Sequence, residues 1–172
     1  MNKYIKEYKT IVNKIVKKSF HSLKKEKIII IESPKIIFWV SGYVANFPAY
    51  SSFIFINKRI RQRDKATKIA LLAHELCHIE SIKKSHKSFL ELFIWGIIED
   101  ISWIFGKNPS KKDERQTDIE TVKKGYGKEL LHIAMNRKRR LSPRVLSMVY
   151  KRGYLSPEEV KKFMKKYKFN KK

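Results

Sequence analysis

The sequence predicts an α+β fold: a small sheet of three or slightly more strands, packed by an N-terminal helix and a second long helix, followed by a mostly helical half. Three observations carry that prediction. β-branched and aromatic runs cluster between residues 27 and 57, apolar residues elsewhere recur at helical spacing, and two serine-proline pairs in the last third mark helix starts. A chain of 172 residues with 42% apolar side chains suits one domain, with an upper part at residues 1–83 and a helical lower part at 84–172.

In chain order, Ile5, Tyr8, Ile11, Val12, Ile15, Val16 and Phe20 fall on one side of a lysine-rich helix over residues 3–20. This reads as a core-packing face rather than one lying on a membrane. Lys27 to Glu32, Ile36 to Val40 and Phe53 to Asn57 read as strands, interrupted by Ser33-Pro34 and by a break from Ser41 to Pro48. The outer strand of that sheet could offer backbone groups to an extended peptide. Asp64 is the candidate N-cap of a helix running to about Lys83. Phe89 to Phe105 reads as an almost wholly apolar helix, either deeply packed, lying at a membrane interface or forming an oligomer contact. It carries Glu91, Glu99 and Asp100 and is too short and too charged to span a bilayer comfortably. A helix over 112–124 is stopped by Gly125-Tyr126-Gly127, and another covers 128–140. Ser142-Pro143 and Ser156-Pro157-Glu158-Glu159 open the last two.

Lysine and arginine total 40 against 16 acids, a formal net charge of +24, and the excess is strongest in residues 3–27 and 137–172. Such a field attracts nucleic acid, anionic lipid or acidic protein and is silent on fold. The single cysteine, Cys77, excludes an internal disulfide, and no apolar signal-peptide core opens the sequence. Cytoplasmic residence is the expectation, with the basic termini able to hold the protein at a membrane or nucleoid.

The most chemically loaded stretch is "IALLAHELCHIE", residues 69–80. His74 and His78 are four apart, so on a helix their imidazoles share a face and can converge on one point. A zinc ion about 2.0–2.1 Å from each nitrogen would satisfy both rings. Glu75, about 100° round from His74, could address a metal-bound water without occupying the metal itself. With five histidines in the chain, the pattern would arise by chance in about one such chain in a hundred. Its apolar setting favours a metal, because unpaired polar groups there are costly.

A catalytic zinc needs a third protein ligand and an open fourth position. The metzincin spacing would put histidine six residues after His78, where Lys84 stands, so that class is excluded. His86, in "SHKSF", is an alternative ligand, similar to a His-x-x-Phe element of all-histidine metalloproteases. Glu114 and Asp118, in "ERQTD", are four apart on a predicted helix, so one could bind metal while the other accepts a hydrogen from a ligand imidazole. Spacing alone does not choose between His86 and Glu114.

"HELCHIE" followed by "DERQTDIETVKKGYGKELL" resembles the gluzincin metallopeptidases, whose second motif is Glu-x-x-x-Asp, and most of all the compact archaeal minigluzincins. The likeness runs from the strands before the active-site helix to the terminal "GYLSPEEV". It implies a zincin-like fold, His74, His78 and Glu114 as zinc ligands, Glu75 as general base and acid, and Asp118 as support for a ligand. The stretch between His78 and Glu114 is longer than the best-known large gluzincins carry.

The implied function is a zinc-dependent endopeptidase acting on peptide or unfolded protein, with Glu75 moving the proton of the attacking water. Tyr126 and His132 are candidate donors to the oxyanion. Cys77, about 100° from His78 on the helix, packs inward rather than binding metal. The rival expectation is a basic protein binding nucleic acid or anionic membrane, with a structural or vestigial zinc site. No helix-turn-helix, RNA-binding aromatic motif or zinc-finger spacing supports it.

Overall fold

A computed structural model describes residues 2–33, 42–47, 51–85 and 111–168, which fall into two units, Met1–His86 and Lys87–Lys172. In the first unit, α1 spans Lys3–Ser19, and the Asn2 side chain caps it by accepting the Tyr4 N–H at 3.0 Å. Its apolar stripe packs inward as the spacing predicts, burying Tyr8, Ile11, Val12 and Ile15.

Strands β1 (Lys27–Ser33), β2 (Gly42–Phe47) and β3 (Ser51–Asn57) form a mixed sheet in the order β1-β3-β2. β1 runs parallel to the central β3 and β2 antiparallel to it. Alternation along β3 buries Ser52, Ile54 and Ile56. Helix α2 (Lys65–Ser85) lies against β2 and α1, and α1 also packs on β1.

The expected strand at 36–40 lies outside the described residues, and a strand occupies residues 42–47, where the sequence suggested a break. Glycine and proline mislead there for a simple reason. Gly42 is the first residue of β2 and Pro48 follows its last, and sheets tolerate both residues at strand ends. Between them, Tyr43 to Phe47 pairs in register with Phe55 to Ser51.

Polar groups at the edge of this core are tied down. Arg61 donates to Glu32 from Nε at 2.8 Å and from Nη2 at 2.6 Å. Those bonds hold the Glu32 carboxyl below the usual glutamate range, against the opposing effect of burial. Tyr8 is fully buried, and its hydroxyl has no hydrogen-bond partner among the described residues. Burial, then the nearby Glu32 and Glu7 carboxylates, push its ionisation up to about 12.

In the second unit, the chain turns at Gly125-Tyr126-Gly127. Helix α3 (Lys111–Thr121) runs through a π-helical turn, Val122–Tyr126, into α4 (Gly127–Arg140). Gly125 absorbs the kink at φ 95°, a left-handed conformation that side chains disfavour. Helices α5 (Pro143–Lys151) and α6 (Pro157–Lys168) begin at the expected serine caps. At the second, Ser156 Oγ accepts the Glu159 N–H at 3.2 Å, while Glu159 Oε2 accepts the Ser156 N–H at 2.9 Å. Val122, Leu130, Ala134, Leu155 and Val160 form the core of this unit.

The predicted α+β architecture is therefore the observed one, a small sheet flanked by α1 with a largely helical second half. The apolar Phe89 to Phe105 stretch lies outside the described residues. Among those described, no helix is long and apolar enough to cross a membrane.

Candidate metal centre

Helix α2 starts where Asp64 provides both a cap and a brace. Asp64 Oδ1 accepts the Thr67 N–H at 2.8 Å, and Oδ2 accepts the Thr67 hydroxyl at 3.0 Å. The helix then sinks into the core, burying Leu72, Ala73, Leu76 and Ile79. His74 and Glu75 are buried among them, only 7% and 4% exposed, and His78 is half-buried. Groups this polar are retained in such a place only with compensation.

The geometry of the two imidazoles supplies a test. Their Nε2 atoms approach to 3.1 Å, with ring centroids 4.8 Å apart and planes at 75°. Two nitrogens sharing one tetrahedral zinc at about 2.0–2.1 Å stand about 3.3 Å apart. The pair is therefore already spaced as ligands of a single ion.

Glu114 is the third member. It is half-buried in the first turn of α3, and one ligand atom each from His74, His78 and Glu114 all lie within 4.8 Å of one another. Two neutral imidazoles and one carboxylate make a donor set that suits zinc and related divalent ions. The donors thus fit a metal, and Glu75, adjacent to His74 and buried on the same helix, is positioned as a catalytic base. His-Glu-x-x-His with a downstream glutamate in this arrangement is a metallopeptidase-type active site, consistent with metal-activated hydrolysis. His86, the alternative ligand, lies outside the described residues.

The helix bearing Glu114 is held by the loop between α5 and α6. Asp118, one turn after Glu114, is 1% exposed, and its Oδ2 accepts the Leu155 N–H at 2.9 Å. Gly153, at φ 107°, brings its backbone so close to α3 that a Cβ there would sit 2.2 Å from the Lys111 carbonyl oxygen. Arg115 Nη2 reaches Glu159 Oε1 at 2.7 Å. Burial pushes the Glu159 carboxyl up, yet the Ser156 N–H and Arg115 outweigh it and leave the group below its ordinary value. Contacts at Lys111, Arg115 and Asp118 therefore bracket Glu114 on both sides.

Sequence reasoning missed this clamp. Its one legible signal was the capping box at Ser156, whose glutamate also grips Arg115. Asp118, expected to support an imidazole, gives one oxygen to the Leu155 amide. Tyr126 is buried at the end of the π-helical turn, whereas His132 is exposed on α4 with the Asn136 amide nitrogen 2.9 Å from its Nε2. Cys77 is buried and is not part of the ligand group. No family model matches the sequence, and no curated protein and no solved structure matches it either.

Proposed function

We propose that the chain is a zinc-dependent endopeptidase of gluzincin type, nearest in plan to the compact minigluzincins. The observation that carries this reading is the approach of His74, His78 and Glu114 ligand atoms to within 4.8 Å of one another beside the buried Glu75. Zinc held by these three residues would supply Lewis acidity, making water a competent nucleophile near neutral pH and polarising the scissile carbonyl.

The chain's own residues do the rest. Glu75 accepts a proton from the attacking water and returns it to the departing amine as the C–N bond breaks. Its burial keeps the carboxylate from being levelled by bulk water. The α5–α6 loop fixes the approach of Glu114 through Asp118 and Gly153. Tyr126 and His132 are the candidates for stabilising the oxyanion. The substrate class is an extended peptide or an unfolded segment of protein, because hydrolysis at a metal needs the amide free of secondary structure.

Hydrolysis of denatured casein by the purified protein tests the reading. Activity should vanish with a chelator, return on adding zinc, and be lost in Glu75→Gln while zinc stays bound. Proteolysis that survives chelation, or full activity in Glu75→Gln, would refute it.

A further inference from the structure

With Glu114 read as a metal ligand, on which this depends, we infer that Arg115 and Glu159 are positioning residues: they fix the roll of α3 and with it the reach of the Glu114 carboxylate. Two other contacts hold α3, the Gly153 backbone against the Lys111 carbonyl and the Leu155 N–H donated to Asp118 Oδ2 at 2.9 Å. Lys111 and Asp118 are seven residues apart, so on an ideal helix they lie within about 20° of one line along the axis. Contacts along a single line hold a helix in place but leave it free to roll about that line.

Arg115 is placed to stop that roll. At 100° per residue it lies about 50° to one side of the line, and Glu114 about 50° to the other. Its Nη2 meets Glu159 Oε1 at 2.7 Å. Glu159 is itself a fixed post, because its Oε2 accepts the Ser156 N–H at 2.9 Å and its own N–H goes to Ser156 Oγ at 3.2 Å. The control this supplies matters at the metal. A carboxylate oxygen about 5–6 Å from the helix axis moves about 1 Å in a roll of about 10°. Metal ligation tolerates only about 0.2 Å. The Arg115 and Glu159 side chains are 43% and 36% exposed, so their pairing adds little to fold stability, and its effect falls on the aim of Glu114.

Zinc affinity, measured by competition with a chromophoric chelator, and melting of the metal-free protein together test this. Arg115→Gln should weaken zinc binding about threefold while moving the melting temperature by less than about 2 °C. Arg115→Lys, which keeps the charge, should recover most of the affinity. Glu159→Ala should weaken zinc to a similar degree, and adding Arg115→Gln to it should weaken zinc no further, because both remove one contact. Ser156→Ala, which loses the cap but leaves Arg115 and Glu159 paired, should lower the melting temperature with zinc affinity unchanged. Wild-type affinity in Arg115→Gln, beside a clear loss in Glu114→Ala, overturns the inference and leaves Glu114 a ligand. Zinc loss in Ser156→Ala as large as in Arg115→Gln also overturns it, since fold stability alone would then set the affinity. Undiminished zinc binding in Glu114→Ala removes the ligand and its positioning together.

Discussion

The two helices that carry the candidate metal ligands are built in opposite ways. Around His74 and His78, α2 is apolar on nearly every side, and the polar pair sits among Leu72, Ala73, Leu76 and Ile79. Around Glu114, α3 is charged almost throughout and buries only Thr117, Asp118 and Thr121. One helix is held by its own apolar surface, the other by specific contacts with the α5–α6 loop and the first turn of α6. A ligand on the first is costly without metal; a ligand on the second stands in position only while its clamp holds.

The largest effects should come from the ligands themselves. His74→Ala or His78→Ala should abolish metal binding and turnover together, and Glu114→Ala should weaken metal retention, all measured as metal per chain after dialysis. If Glu114→Ala retained metal as well as wild type, α3 would lose its part in the site. Next, Glu75→Gln should lower kcat by about 10²–10⁴-fold with metal content unchanged, which separates the base from its ligand neighbours.

Smaller effects should divide the two helices by how each is held. Asp118→Ala leaves the buried Leu155 N–H unpaired and should cost about 1–3 kcal/mol in thermal unfolding, with looser metal binding. Asp118→Asn, which can still accept that hydrogen bond, should recover most of the stability. In the first unit, the Glu32 contribution is present above the unfolded glutamate pKa of about 4.3 and is lost as pH falls through its lower folded value. Glu32→Gln should therefore flatten the acid side of the melting-temperature profile. Smallest of all, Tyr8→Phe removes a buried hydroxyl with no partner among the described residues and should change stability by less than about 1 kcal/mol, in the favourable direction.

This contrast also explains what could be read from the sequence. His74, Glu75 and His78 were legible because they interrupt an apolar run at a spacing that helix geometry makes meaningful. Glu114 was not separable from His86 by spacing, since a charged segment offers no burial contrast. Only the resemblance to gluzincins chose it, and Glu114 stands with His74 and His78 in a group able to hold a metal ion. The caps at Asp64, Ser142 and Ser156 were legible because capping is local chemistry. The strand at 42–47 was hidden because its terminal glycine and following proline look like a turn until pairing with β3 is known. The Gly153 approach to Lys111 was hidden because contacts between distant parts of a chain leave no periodicity.

Anomalous scattering at the zinc edge, from crystals of protein supplied with zinc, tests the central claim most directly. One strong peak should appear, bonded to His74 Nε2, His78 Nε2 and a Glu114 carboxylate oxygen. A peak whose third protein neighbour is another residue, or no peak at the histidine pair, would contradict it.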